Sequence, residues 1–266
     1  MGYKPNELCP YVKLPGSLPY IFDIILKPEV LHKVGILATI LEEFSKRHIP
    51  LFQVKTFILH PTNKIRVVIV ADIKGGENTA KELVSKISSF NFTENINYSG
   101  PLFDGFVLDL WSFPPTLGEE RALIFRKSFY EGFIKEGWRR LGEGWGSILY
   151  HAGLYAGRNV YNKYLELTKD RQMLIKLMEE MSRIVGFGII KVININENRA
   201  IIRIYDCFEC QLLRNIGVKM GSFLKGVLVG WFSRYWSIDP QKIVATETKC
   251  IARGDPYCEY VIEKRQ

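Results

Sequence analysis

Thr246-Glu247-Thr248-Lys249-Cys250-Ile251-Ala252-Arg253-Gly254-Asp255-Pro256-Tyr257-Cys258-Glu259-Tyr260-Val261 places a carboxylate three residues before one cysteine and a second cysteine eight residues after it. Arg253-Gly254-Asp255-Pro256 between them is turn chemistry: glycine takes positive φ without steric cost, and proline fixes its own φ. The turn brings the two thiols toward each other, and the alternating run from Cys258 to Ile262 reads as a strand. Cys207 and Cys210, in Asp206-Cys207-Phe208-Glu209-Cys210, form a second pair upstream. Cys9, near the start, reads as a lone surface thiol.

Outward from that stretch, composition sets the limits. A chain of 266 residues with 47% hydrophobic and 24% charged residues is globular, and long enough for two domains. No apolar run is long enough to span a bilayer, and the first residues lack the apolar core of a signal peptide. The expected setting is cytoplasmic, where thiols stay reduced and paired cysteines favour metal. Richness in Ile, Lys and Glu with little Gln has a thermophilic flavour, which keeps disulfides open as an alternative. A net charge of +8 permits an acidic partner such as DNA. The basic residues are scattered, however, with Lys46-Arg47-His48 and Arg139-Arg140 the tight clusters.

Along the chain, residues 1–19 form an irregular lead-in with Pro5, Pro10, Pro15 and Gly16. Residues 20–112 predict the order βαββαβ. A strand from Tyr20 is followed by a helix over Leu31–His48 with Leu31, Val34, Leu37, Ile40 and Phe44 on its apolar stripe. Strands over Leu51–His60 and Ile65–Ile73 come next, then a helix capped by Asn78, and strands near Asn95–Tyr98 and Gly105–Leu110. That order implies an antiparallel sheet with two helices on one face. Phe113-Pro114-Pro115-Thr116-Leu117-Gly118 is the linker. Beyond it, residues 119–140 predict a helix burying Leu123, Phe125, Phe129, Phe133 and Ile134, broken by Gly142, Gly144 and Gly146. Helices over Ser147–Leu167 and Lys169–Val185, a hairpin over 189–205, a helix over Met220–Tyr235 and a final hairpin follow. Gly153 and Gly157 share one helix face, where small residues let another backbone approach. The fold class is α+β throughout.

Two resemblances follow from these residues. Lys33-Val34-Gly35-Ile36-Leu37-Ala38-Thr39-Ile40-Leu41 with His48-Ile49-Pro50-Leu51 resembles the first helix and second strand of an ACT domain, a small regulatory module that binds amino acids. Val34-Gly35 stands where that family commonly has Pro-Gly. Residues 119–264 resemble the 4-vinyl-reductase domain family of archaeal hydrocarbon-binding proteins and phenol-responsive activators. The resemblance rests on Glu247-Thr248-Lys249-Cys250, Gly254-Asp255-Pro256-Tyr257-Cys258-Glu259-Tyr260-Val261-Ile262, the glycine-rich helix 144–159, Asp206-Cys207-Phe208-Glu209 and Gly221-Ser222-Phe223-Leu224-Lys225-Gly226.

The second resemblance implies an α+β fold related to vesicle-tethering TRAPP subunits, a homodimer through helices, and ligand binding. It also implies a structural zinc held by Glu247, Cys250, Cys258 and an upstream cysteine. The region Ile216-Gly217-Val218-Lys219, where relatives place that cysteine, carries no thiol, so Cys207 or Cys210 would supply it. Four thiolates, or three with a carboxylate, both satisfy tetrahedral zinc. Trp138, Trp145, Tyr150, His151, Tyr155, Phe187 and Phe223 are the candidate lining for a small hydrophobic or aromatic ligand, with Arg158 as an anion partner; packing residues would look the same. Three functions remain: a non-enzymatic small-molecule sensor, a regulator acting on DNA or a protein partner, and a reductase of a vinyl tetrapyrrole. No dinucleotide fingerprint, phosphate loop or catalytic triad supports the last.

Overall fold

The computed structural model describes residues 4, 8, 11–214, 216–218 and 221–265. Pro5, Cys9, Pro10, Lys219 and Met220, named above, lie outside the described residues. Two compact units divide the chain after Ile124.

In the amino-terminal unit, β1 (Tyr11–Lys13), β2 (Pro19–Leu26), α1 (Ile36–Ser45), β3 (Leu51–Leu59), β4 (Lys64–Asp72), α2 (Gly76–Ser88), β5 (Thr93–Ser99) and β6 (Phe106–Leu108) follow in order. The main sheet runs β3-β4-β2-β5, antiparallel throughout, which is the split βαβ arrangement. Central β2 reads PYIFDIIL because it is covered on both faces. Phe22, Ile24 and Leu26 pack under Ile40 and Phe44 of α1 and Leu83 and Ile87 of α2. Ile21, Val68 and Val70 look the other way, covered by Val107, Val12 and Trp111. Asp23, on that second face, is buried against Arg66, whose guanidinium also reaches Asp109 and Ser112. The network fastens the segment after β6 to the sheet.

Several expected boundaries move, each for a local reason. The helix expected from Leu31 begins at Ile36 because Gly35 takes φ 89, and Pro28–Val30 forms a separate 3-10 turn. Val34 is therefore fully exposed, at 101%, rather than part of the stripe. Asn78 lies inside α2, whose N-cap is Gly75. Residues 11–13 of the lead-in pair with β6 as a strand. The helix expected from residue 119 is displaced by a small hairpin of β7 (Thr116–Leu117) and β8 (Glu120–Arg121), turning at Gly118 with φ 63.

The carboxy-terminal unit holds α3 (Lys127–Leu141), α4 (Glu143–Leu167), α5 (Arg171–Ile184), β9 (Ile189–Ile195), β10 (Arg199–Tyr205), α6 (Phe208–Leu213), α7 (Phe223–Tyr235), β11 (Ile243–Lys249) and β12 (Cys258–Lys264). Leu123 and Phe125 precede α3; Phe129 is exposed beside Phe125, Phe133 is partly exposed with its ring against Trp145, and Ile134 is the fully buried residue. Gly142 alone breaks the chain between α3 and α4; Gly144 and Gly146 are helical. The short α6 was not expected from the sequence. The sheet runs β11-β12-β10-β9, again antiparallel. Ile202, Ile204, Tyr260 and Ile262 on it meet Leu228, Trp231 and Phe232 of α7.

Helices α4 and α7 touch backbone to backbone. A Cβ on Gly153 would stand 2.1 Å from the Phe223 carbonyl oxygen, and one on Gly157 2.0 Å from that of Val227. From the other side, a Cβ on Gly226 would meet the Tyr150 carbonyl at 2.1 Å and one on Gly230 that of Leu154 at 2.2 Å. No residue larger than glycine fits at these positions without moving a helix.

Candidate metal centre

The β11–β12 hairpin builds most of the centre. Its register shifts between Glu247 and Lys249, a bulge that changes the strand's phase so that Glu247 and Cys250 serve the same side. A 3-10 turn over Ile251–Arg253 and Gly254 at φ 100 then reverse the chain. Asp255 fixes the reversal, its carboxylate accepting from the Cys250 N–H at 2.7 Å. The N–H of Ile251 points at the Cys258 sulfur at 3.4 Å, as amides around a metal-bound thiolate do. From the other edge, α6 supplies Cys207 as its N-cap and Cys210 one turn on.

Cys210, Glu247, Cys250 and Cys258 each offer a ligand atom, and these atoms lie within 4.8 Å of one another. The three cysteines are completely buried. Cys207, also buried, stands beside this set, its thiol in hydrogen-bonding contact with Cys210 and Cys258. That contact with Cys210 holds the Cys207 thiol below its usual range, while the same contact, with Cys250 and Cys258, pushes Cys210 up. All four are free thiols; Cys210 and Cys250 are 3.6 Å apart, against about 2.05 Å for a disulfide.

Glu247 tests whether a cation fits. Both its oxygens are buried without a well-formed hydrogen bond, and so is the hydroxyl of Tyr260 opposite it in the ladder. Burial, reinforced by the neighbouring Cys250 thiol, pushes the Glu247 carboxyl up to about 8. A carboxylate in this position is costly unless it keeps a proton or meets a positive charge. Three sulfurs and one such oxygen match the preferences of a thiophilic divalent ion, and the cluster could hold one. Protein donors fill a tetrahedron, which describes a structural site rather than one with an open catalytic position.

Glu209 was quoted in the motif above without a role. It is buried on α6, and its Oε1 accepts from the N–H groups of Ser222 and Phe223 and its Oε2 from that of Leu224, all at 2.9 Å. One carboxylate thus caps α7 from a distant element and opposes the positive end of its dipole. Burial still raises its pKa despite those donors. The available signal was an acidic residue flanked by cysteines in a sequence otherwise rich in buried types.

The candidate ligand residues do not form one group. Trp138, Trp145 and Phe223 pack with Tyr130 and Phe208 around Ile134, Leu149, Leu212 and Leu213. The Trp138 and Trp145 Nε1–H groups are buried there with no acceptor among the described residues. Phe187 stacks on Phe223 at 5.6 Å between ring centroids. Tyr150 packs at the edge of the neighbouring core, with His151 and Tyr155 on the exposed side of α4 and Arg158 half-buried. Tyr130, whose phenol burial pushes far up, was missing from the candidates.

Residues 200–264 match the 4-vinyl-reductase domain. The matched segment begins in β10 and contains the whole metal-ligand set. Uncharacterized protein MJ0150 of Methanocaldococcus jannaschii is 31% identical over 117 residues, 44% of this chain and 64% of the relative. A second protein of that organism, MJ1642, is 31% identical over 68 residues, 26% of this chain and 40% of the relative. The chain thus spans less than two thirds of either. The phenol-responsive sensory domain of the transcription activator PoxR, solved with phenol, aligns with a TM-score of 0.50 at 18% identity, over 56% of this chain and 79% of that one. The likeness shows a shared α+β fold over that share of the chain. Among the described residues, no helix is long and apolar enough to cross a membrane.

Proposed function

We propose that this protein senses a small aromatic molecule through its carboxy-terminal, 4-vinyl-reductase-type unit, braced by a structural zinc ion on Cys210, Glu247, Cys250 and Cys258. What carries the reading is the pair of indole N–H groups of Trp138 and Trp145, buried without acceptors inside an aromatic cluster. An unsatisfied buried donor costs about 1–3 kcal/mol, and a phenolic or carbonyl oxygen brought by a ligand offsets that cost. The fold shared with a domain solved with phenol supports the same class. Zinc would supply the fixed tetrahedral link between α6 and the β11–β12 hairpin; the residues themselves close and shape that link.

The amino-terminal unit, with its split βαβ sheet and the ACT-like stretch 33–51, would serve as a second regulatory module. A homodimer is part of the proposal: Phe129 and Phe133 lie exposed on α3, an apolar face that a second copy would cover.

The test is a phenol titration of the full chain followed by tryptophan fluorescence. Saturable quenching is expected, weakened about tenfold by Trp138→Phe or Trp145→Phe, roughly the value of one hydrogen bond to a buried donor. Absence of saturable binding, or binding indifferent to both substitutions, would overturn the aromatic-sensor reading.

A further inference from the structure

A groove in the carboxy-terminal unit lies along β11, the edge strand of its sheet. It has a volume of about 340 Å³ and is lined by Tyr150 of α4, Lys225 of α7, Ile243, Val244 and Ala245 of β11, and Arg265 after β12. No carboxylate lines it. Lys225 is the one charged residue in the first half of α7, an otherwise apolar helix (FLKGVLVGWFSRY), and it is half-buried. Among the described residues neither Lys225 nor Arg265 has an acidic partner within ion-pair distance, whereas Arg66, Arg199 and Arg203 all do. The Tyr150 hydroxyl makes no hydrogen bond there either. Tyr150 and Arg265 line the same groove; burial raises the Tyr150 pKa, and the Arg265 guanidinium acts the other way.

Two unpaired cations and a free hydroxyl around one opening form a donor set without an acceptor. Guanidinium, ammonium and hydroxyl together suit the several oxygens of a phosphate, bidentate to the arginine and a point contact to the lysine. The opening exceeds what inorganic phosphate fills and leaves room beside exposed Val244 for an organic group. We infer that the groove between Tyr150, Lys225 and Arg265 binds the phosphate group of a small organic molecule. This ionic site stands apart from the Trp138–Trp145 cluster and survives whether or not that cluster binds an aromatic.

The test uses the full chain and inorganic phosphate, followed by calorimetric titration at low ionic strength. One saturable site per chain is expected. Lys225→Met and Arg265→Gln should each weaken it about tenfold, about 1.4 kcal/mol. Lys163→Gln, which removes a solvent-exposed partner of Glu166, should leave it unchanged. Should Lys225→Met fail to fold, the exposed Arg265 decides alone. No saturable binding, an equal loss with Lys163→Gln, or acetate bound as tightly as phosphate would each overturn the assignment. Phenol quenching run in parallel tells failure of this site from failure of the aromatic one.

Discussion

In the amino-terminal unit the half-buried Arg66 finds Asp23, Asp109 and Ser112, and among the described residues Thr93 alone leaves a buried side-chain oxygen unpartnered. In the carboxy-terminal unit, by contrast, Glu247, Tyr260, Trp138, Trp145 and Trp231 all bury polar atoms without a well-formed hydrogen bond among the described residues. Folded chains rarely leave such groups unsatisfied. The first unit has the chemistry of a finished core, whereas the second keeps buried donors and acceptors that the proposed ion and ligand would complete. On the proposed function the difference marks where other molecules would bind: a cation would answer Glu247 and the thiols, and a ligand oxygen the indoles.

The sharpest way to break the comparison is to attack the thiols. Cys250→Ser is expected to abolish stoichiometric zinc and lower the melting temperature of the carboxy-terminal unit by on the order of 10 °C or more, leaving the other unit's transition in place. Cys207→Ser, outside the four-donor set, should keep the metal. Metal analysis beside calorimetry reads both, and equal metal loss in the two variants would sink the donor assignment. Next in size, Arg66→Met strands two carboxylates in the first unit and should cost about 3–5 kcal/mol there with zinc unaffected. Denaturant unfolding measures it; a loss near zero would mean the network does not hold the segment.

The smallest effect is acid sensitivity at Asp109. Burial raises its pKa, but the Ser112 hydroxyl, the Trp111 N–H and Arg66 outweigh that and leave it below the usual carboxylate range. The folded state therefore binds this proton more weakly than the unfolded one. Its contribution is full above about pH 4 and fades as pH falls through the depressed folded value. Asp109→Asn should flatten the acid limb of the first unit's stability curve, and an unaltered limb would remove Asp109 from the account.

Features set by local chemistry were readable before any coordinates. The spacing from Glu247 to Cys258 spans one hairpin, so turn and strand rules suffice to join its ends. That Cys210 joins the four-atom cluster while Cys207 stands beside it was not readable, because it depends on α6, six residues whose packing is tertiary. Helix starts slipped wherever glycine at positive φ, as at Gly35 and Gly118, ended a pattern that hydrophobicity alone would continue. On α3 the aromatic content misled: Ile134 is fully buried, while its neighbour Phe133, rotated about 100° around the axis, only edges the Trp145 ring and stays about half exposed. The scatter of the candidate ligand residues has the same origin, since Tyr150, His151 and Tyr155 sit at different angles on one helix.

The glycine seam between α4 and α7 has a mechanical consequence. Side chains at an ordinary helix contact act as springs, changing rotamer to absorb a shift; peptide groups in direct touch have no such give. A push at the start of α7, where Glu209 grips it one residue from Cys210 of the candidate metal set, would therefore pass to α4 through contacts with no rotamer to change, as through a rigid coupling.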